Sequence, residues 1–244
     1  MTDPNIMLEV EGLNAWYGDA HILFDLDMRV DRGEVVALMG RNGAGKSTTI
    51  KSIMGLLARR TGTVRFCGRD VSSLRPYEIA RLGVGFVPED RRIFSGLTVA
   101  ENLDIGRQPP RRFPDDRPAP RWTERKLYEL FPNLAGMTKR RGADMSGGEQ
   151  QMLTVARTLM GNPLLILLDE PSEGVAPVIV EQMANTITEL KREGLSVLLS
   201  EQNIHFAALV SDRAYVLEKG QVQWEGRMAD LARHAVTQRT LLSM

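Results

Sequence analysis

Residues 40–48 read GRNGAGKST, and they directly follow the apolar run VVALM at Val35–Met39. A short apolar strand that leads through a glycine-rich turn into a helix is the pattern of a phosphate-binding loop, because glycines let backbone N–H groups approach phosphate oxygens. By chance the pattern G-x4-G-K-[S/T] should occur in about one chain in a hundred of this length, so an ordinary glycine-rich turn is a weak alternative. Lys46 would add a point charge, and the Ser47 hydroxyl would be a ligand for Mg²⁺. The predicted phosphate-binding residues are Gly40, Arg41, Asn42, Gly43, Ala44, Gly45, Lys46, Ser47 and Thr48.

Composition and charge argue against several other functions. The chain has 244 residues, in which 31 Lys and Arg residues balance 31 Asp and Glu residues. Because this balance gives no overall positive field, we expect no nucleic-acid partner. The single cysteine, Cys67, cannot form an internal disulfide and is interpreted as a small core residue. No apolar run approaches the roughly 18 residues that span a bilayer, and no export signal begins the sequence, so we expect a cytoplasmic location.

The hydrophobic pattern predicts an α/β fold with two kinds of strand. Apolar and polar residues alternate over residues 24–30, which is typical of a half-exposed antiparallel strand in an N-terminal β layer. Continuous apolar runs instead predict parallel strands that helices cover on both faces. These runs are residues 35–39, 164–168 and 197–199. A helix is predicted to begin at Pro177, since proline is favoured in a first turn.

A helical subdomain is predicted inside this α/β body. Residues 99–161 carry mostly helical spacing and no convincing strand. We therefore expect a single domain over residues 1–244, with a core of about 1–98 and 162–244. Within the subdomain, residues 108–121 combine five prolines with charges of both signs, which predicts a surface loop.

Two further motifs carry chemistry. The apolar run at residues 164–168 ends in Asp169 and Glu170, where a parallel strand would emerge beside the phosphate-binding loop. Asp169 could hold Mg²⁺ through water, and Glu170 could act as a general base toward an attacking water. The alternative, an acidic pair in an ordinary turn, is weaker because a phosphate-binding loop lies upstream.

The second motif lies before this acidic pair. Residues 146–151 read SGGEQQ at a helix start, which predicts an anion-binding cradle formed by Ser146, Gly147 and Gly148.

The order of these motifs resembles the ATP-binding cassette (ABC) ATPases, and the resemblance extends from about Met7 to Trp224. It implies a P-loop NTPase fold, ATP and Mg²⁺ as cofactors, and ATP hydrolysis coupled to transport. In this family the SGG cradle binds the γ-phosphate held by another subunit, so the resemblance implies a dimer. Residues 171–174 match the segment where the two subunits cross, with Ser172 as the predicted contact. Tyr17 matches the aromatic residue on which adenine stacks, with a packing aromatic as the alternative.

Two positions differ from the general pattern of the family. Glu89 stands where most members have a glutamine that senses the metal, and Gln202 stands where a histidine usually contacts the γ-phosphate. The resemblance implies that Glu89 joins Ser47 and Asp169 at the metal, with repulsion of the phosphate until a partner positions it as the alternative. It also implies that Gln202 joins Glu170 in catalysis. Because glutamine cannot become cationic, hydrolysis should be slower by about two decades, but not abolished.

These departures indicate a subfamily. Together with residues 91–94, 170–174 and 201–203, they look like the second ATPase subunit of bacterial branched-chain amino acid importers. The urea and short-chain amide importers are a near alternative, and a soluble ATPase switch of the iron–sulfur assembly type is a more distant one. The importer resemblance implies a second ATPase subunit, identical or different, transmembrane permease subunits and, indirectly, a solute-binding protein. It also implies a peripheral location on the inner face of the plasma membrane, with Ile93 and Phe94 as apolar contacts to a permease.

Overall fold

Ten strands and nine α-helices form the part of the chain, residues 3–233, that this computed structural model describes. The strands are β1 (Ile6–Tyr17), β2 (Ala20–Asp31), β3 (Val35–Met39), β4 (Arg59–Phe66), β5 (Arg69–Asp70), β6 (Val84–Val87), β7 (Leu165–Asp169), β8 (Ser196–Glu201), β9 (Arg213–Glu218) and β10 (Gln221–Arg227). The helices are α1 (Lys46–Ile53), α2 (Pro76–Leu82), α3 (Val99–Gly106), α4 (Glu124–Leu130), α5 (Pro132–Ala135), α6 (Gly147–Leu159), α7 (Pro177–Arg192), α8 (Ile204–Val210) and α9 (Met228–Arg233).

The first sheet is antiparallel and has the strand order β2-β1-β4-β5. Its residues alternate between buried and exposed along β2, as the sequence pattern predicted. The buried side chains of this sheet, among them Leu8, Val10, Leu26 and Val30, share one hydrophobic core with α1 and one face of the second sheet. The antiparallel layer therefore covers one side of the phosphate-binding loop and its helix.

The second sheet has the order β10-β9-β3-β8-β7-β6 and is parallel except for the β9–β10 hairpin. Strands β3 and β7 are completely buried, because the first core lies on one face and a core with α6 and α7 lies on the other. In register, Met39 pairs with Glu201 and Asp169 pairs with Ser200. The carboxyl ends of β3, β7 and β8 thus meet at one edge, where α/β folds bind their ligands.

The chain between β6 and β7 contains α3 to α6 and, within the described residues, no named strand. This agrees with the helical spacing of the segment, while the limits of the helical subdomain stay a prediction. No helix in residues 3–233 combines the length and the apolar character needed to cross a membrane.

The proline-rich segment 108–121 is largely exposed, but it is anchored to the core. Phe113 is buried, and the Arg32 guanidinium lies 4.2 Å from the centre of its ring. Arg32 also forms a 2.8 Å ion pair with Asp115 Oδ2, which Arg117 contacts as well, at 2.6 Å. The predicted surface loop is therefore docked on the turn between β2 and β3.

Cys67 is partly buried beside Met7, with 3.4 Å between the two sulfur atoms. Burial raises the pKa of the Cys67 thiol to about 11, so the reactive thiolate is disfavoured at neutral pH. This agrees with the interpretation of Cys67 as a packing residue.

Candidate functional site

The phosphate-binding loop joins β3 to α1 without a side-chain cap on the helix. Gly45 is the N-cap residue and has φ 111°, a conformation that favours glycine. A Cβ atom at this position would lie 2.7 Å from Leu23 Cδ2, so the loop also needs glycine for close packing. Since no side chain among the described residues caps α1, the N–H groups of its first turn are available to a ligand.

Lys46 lies inside this loop as a buried cation. Its Nζ atom donates to the carbonyl oxygens of Gly40 and Arg41, at 2.9 and 3.2 Å. It also forms a 3.1 Å ion pair with Glu170 Oε1, and the two side chains are only 3% and 8% exposed. The predicted phosphate-binding lysine and the predicted base are thus direct neighbours.

Glu170 has an unusual backbone conformation, with φ 49°. Its N–H group donates to Ser200 Oγ at 3.0 Å and to the Ser200 carbonyl at 3.2 Å, so β8 holds it in place. A left-handed conformation in a residue other than glycine is uncommon, and such strain concentrates at functional sites. The fold therefore maintains a costly conformation in order to direct this carboxylate toward Lys46.

Asp169 and Ser47 form a site whose chemistry fits Mg²⁺. Asp169 is 1% exposed, and its Oδ1 atom accepts from Ser47 Oγ at 2.8 Å and from Ser200 Oγ at 2.7 Å. Its Oδ2 atom is buried and, within residues 3–233, has no hydrogen-bond partner. A buried carboxylate oxygen without a partner is rare, and oxygen atoms are the ligands that Mg²⁺ prefers.

Glu89 is less closely connected to this site. It lies two residues beyond β6, and the pairing of Val87 with Leu168 places it at the same edge of the sheet. Its side chain is exposed, and no hydrogen bond or ion pair joins it to Ser47 or Asp169. Among residues 3–233, no group of three or more His, Cys, Asp or Glu side chains could hold a metal by itself. The role of Glu89 at the metal stays a prediction.

Gln202 contacts the predicted base directly. Its Nε2 atom donates to Glu170 Oε2 at 3.0 Å and to Glu173 Oε2 at 3.2 Å. The amide thus lies between two carboxylates that follow β7. Gln202 is in position to orient Glu170 or to donate a neutral hydrogen bond to a reacting group.

Glu201 is a residue of this site that the sequence motifs did not identify. It ends β8, is 2% exposed, and accepts backbone N–H groups from Ser172, Gln202 and Asn203 at 3.1, 3.1 and 3.2 Å. Burial raises the pKa of this carboxyl group, and hydrogen bonds from the Ser172 side chain and the three backbone N–H groups oppose the rise by stabilising its charge. The signal in the sequence was an acidic residue just after the apolar run 197–199, since a carboxylate at the end of a buried strand requires partners.

The second predicted cradle lies at the N-terminus of α6. Ser146 is the N-cap: its Oγ accepts from Glu149 N at 3.4 Å, and Glu149 Oε2 accepts from Ser146 N at 2.7 Å. A Cβ atom at Gly147 would lie 2.5 Å from Arg91 Nη1, and one at Gly148 would lie 2.6 Å from Ile179 Cγ1. Ser146 is therefore a conventional N-cap, and the packing of Ile179 accounts for Gly148, whereas the end of the Arg91 side chain near Gly147 can move aside.

Tyr17 ends β1 and leaves 47% of its surface exposed. This exposure favours a stacking platform over a packing aromatic residue, and its contact with adenine stays a prediction.

Comparison with known proteins identifies the family. Residues 23–173, more than half of the chain, match the family model described as ABC transporter. The chain belongs to the ABC transporter family. It is therefore an ATP-binding cassette ATPase: it binds and hydrolyses ATP, and this hydrolysis powers transport.

Individual relatives of this ABC ATPase cover almost its whole length. It is 43% identical to the high-affinity branched-chain amino acid transport ATP-binding protein BraG of Pseudomonas aeruginosa, over 88% of this chain and 91% of that protein. It is 36% identical to the probable branched-chain amino acid transport ATP-binding protein LivF of Archaeoglobus fulgidus, over 93% of this chain and 95% of that protein. It is also 34% identical to the lipopolysaccharide export system ATP-binding protein LptB of Haemophilus influenzae, over 88% of each.

The fold agrees with solved ABC structures. The ADP conformation of MJ1267, an ATP-binding cassette of an ABC transporter, is similar with a TM-score of 0.80 and 27% identity, over 98% of this chain and 97% of that one. The predicted α/β P-loop fold, with a mainly parallel sheet and an antiparallel layer, is thereby confirmed.

Proposed function

We propose that this ABC ATPase powers the import of branched-chain or related amino acids through a membrane permease. The observation that carries the catalytic part is that Lys46 and Gln202 each contact the buried carboxylate of Glu170. The solute class is supported by the identity of 43% to BraG and 36% to LivF, over nearly the full length of each protein.

In the proposed reaction, the uncapped N-terminus of α1 and Lys46 bind the ATP phosphates. Ser47 and Asp169 hold Mg²⁺, which supplies Lewis-acid polarisation of the phosphate oxygens when it is bound. Glu170 accepts a proton from the attacking water. Because Lys46 pairs with Glu170, a phosphate that competes for this lysine also releases the carboxylate for its role as base.

The working unit is proposed to be a pair of ATPase subunits, identical or different. Ser146, Gly147 and Gly148 lie at the start of α6, where the N–H groups of the first turn and the helix dipole favour an anion. They would bind the γ-phosphate held by the other subunit. This assembly would sit on the inner face of the plasma membrane.

A cleft of about 380 Å³ is the proposed docking site for the permease. Its lining includes Phe94 and Ile105, which are 47% and 52% exposed, together with Arg157. The sequence also predicted Ile93 as a permease contact, but Ile93 packs against the core and is only partly exposed. Replacing Phe94 and Ile105 with serine should abolish transport in reconstituted vesicles while ATP turnover of the free subunit is preserved.

The similarity to LptB makes lipopolysaccharide export a second candidate. Affinity purification of the tagged chain from native membranes would separate the two functions. We expect a permease together with a solute-binding protein, and stimulation of the ATPase in vesicles by leucine, isoleucine or valine with that protein. Copurification with a lipopolysaccharide exporter, stimulation by urea or short-chain amides, or the absence of any permease would contradict the proposal.

The catalytic assignment is tested by Glu170→Gln. This change keeps the shape of the side chain and removes the base, so steady-state phosphate release should fall by about 100- to 10,000-fold while ATP still binds. Glu189→Gln is the control and should leave turnover unchanged, since Glu189 is also a glutamate but accepts from Arg192 on α7, outside this network. Equal rates for Glu170→Gln and the unaltered protein would refute the assignment of the base.

A further inference from the structure

One buried carboxylate, Glu201, connects two loops at the edge of the catalytic site. Its Oε1 atom accepts from the N–H group of Ser172, in the loop after β7. Its Oε2 atom accepts from the N–H groups of Gln202 and Asn203, in the loop after β8. Each oxygen therefore serves a different loop, and the side chain is almost fully shielded from water.

The side chain of Gln202 closes this connection into a ring. Its amide returns to the first loop and donates to Glu173 Oε2, one residue beyond Ser172. The same amide donates to Glu170 Oε2. The ring thus runs from Ser172 through Glu201 to Gln202 and back to Glu173, and its fixed geometry holds the amide of Gln202 on Glu170.

We propose that Glu201 is a positioning residue that sets the catalytic geometry of Gln202 and Glu170 by holding both loops on one carboxylate. This inference rests on the proposed function, in which Glu170 is the base. Glu201 does not touch the reacting groups and acts only through Gln202 and the loop of residues 171–174.

The chemistry of the three donors explains why a carboxylate occupies this position. An ionised carboxylate only accepts hydrogen bonds, and it can serve two loops with two oxygens. A glutamine would turn one NH₂ group toward a backbone N–H donor, which leaves that donor unsatisfied in a buried place. The charge also strengthens each hydrogen bond, which makes the ring rigid.

The ring has a consequence for communication between subunits. The loop of residues 171–174 is the segment predicted to contact the other ATPase subunit. A displacement of this loop would move the Ser172 N–H group, and the Glu201 carboxylate would transmit the movement to Gln202. Glu201 therefore makes the orientation of the catalytic amide depend on this contact.

A double-mutant cycle on the full chain tests the proposal. Glu201→Gln should lower kcat for Mg-ATP by about tenfold, while the Kd for ATP, measured with a fluorescent ATP analogue, changes by less than about twofold. In a Gln202→Ala background, the same change should lower kcat by less than about twofold, because the residue through which it acts has been removed. Additive effects, or an unchanged kcat in Glu201→Gln, would overturn the proposal.

Two controls separate positioning from general stability. Glu34→Gln alters another partly buried carboxylate that accepts a backbone N–H group, at the opposite end of β3, and should leave kcat unchanged. If Glu201→Gln does not fold, Glu201→Asp replaces it in the cycle, since a shorter carboxylate cannot reach both loops. An unchanged kcat in Glu201→Asp would equally overturn the proposal.

The proposed function can fail separately from this inference. Full activity in Glu170→Gln would reject Glu170 as the base, and Glu201 would then have no catalytic geometry to set. A large loss in Glu170→Gln, together with additive effects of Glu201 and Gln202, would reject only the positioning role.

Discussion

Two helices of this ABC ATPase have glycines at their N-termini, and the two termini are built differently. Helix α1 follows Gly45 and has no side-chain cap, and its first residue, Lys46, is buried against Glu170. Helix α6 follows Ser146, which forms a reciprocal capping box with Glu149 at the surface. At the N-terminus of α1, the chain itself supplies a cation, Lys46, and an acidic group, Glu170. At the N-terminus of α6, Ser146 and Glu149 cap the helix, and the other N–H groups of the first turn are left uncapped.

The glycines at the two termini also have different physical reasons. Gly45 adopts a positive φ that other residues avoid. Gly147 and Gly148 have ordinary backbone angles, and Ile179 occupies the space that a side chain at Gly148 would need. Similar glycine-rich sequences therefore encode a turn with positive φ in one case and close packing in the other.

The largest expected effect concerns the terminus of α1. Lys46→Ala should reduce ATP turnover by at least about 1000-fold, since it removes the cation that binds the phosphates. It should also lower the melting temperature, because breaking a buried ion pair costs about 3–5 kcal/mol and leaves Glu170 without its partner. Phosphate release and thermal unfolding measure the two effects.

Lys51→Ala is the control for this experiment, since Lys51 lies in the last turn of the same helix. We expect nearly unchanged turnover for this variant. Turnover near the normal rate in Lys46→Ala would contradict the contrast between the two helix N-termini, because the N-terminus of α1 would then not be the phosphate site.

An intermediate effect concerns the packing of α6. Gly148→Ala would place a Cβ atom 2.6 Å from Ile179 Cγ1, and such overpacking typically costs about 1–3 kcal/mol. We expect a lower melting temperature and about tenfold slower turnover, as the first turn of α6 shifts. Adding Ile179→Ala should provide space and restore both. Restored stability without restored turnover would show that a ligand, and not Ile179, requires glycine here.

The smallest effect compares two capping boxes. Ser146 and Glu149 cap α6, and Thr98 and Glu101 cap α3 with nearly the same geometry. Ser146→Ala and Thr98→Ala should each cost about 0.5–1 kcal/mol of stability, measured by denaturant unfolding. Only Ser146→Ala should also slow ATP turnover, by a few-fold. Equal turnover in both variants would contradict a role of Ser146 beyond capping.

The sequence predicted the parts of the site that arise from short, local patterns. The strand β3, its glycine-rich turn and α1 form one continuous motif, and the apolar run of β7 placed Asp169 at its end. The register of two buried parallel strands then brings Asp169 beside Ser47, although 122 residues separate them. Such neighbours are predictable because parallel strands emerge at one edge of a sheet.

Side-chain contacts that depend on the paths of loops were not predictable. Residues 108–121 carry charges of both signs, which favoured a solvated loop, but Arg32 is the partner that docks it. The hydrogen bonds of Glu201 depend on the path of two loops after their strands, and no spacing rule encodes that path. Local pattern therefore located the reacting groups, while their supporting contacts required the three-dimensional structure.

The docking of Phe113 on Arg32 has a mechanical consequence. The helices α3 to α6 leave the core after β6 and return to it at β7, so the chain itself gives them two points of attachment. The contact of the proline-rich segment with the turn between β2 and β3 adds a third, reinforced by the ion pair of Arg32 with Asp115. Because three attachments restrain a body more than two, we expect this segment to limit rotation of the helices relative to the antiparallel layer.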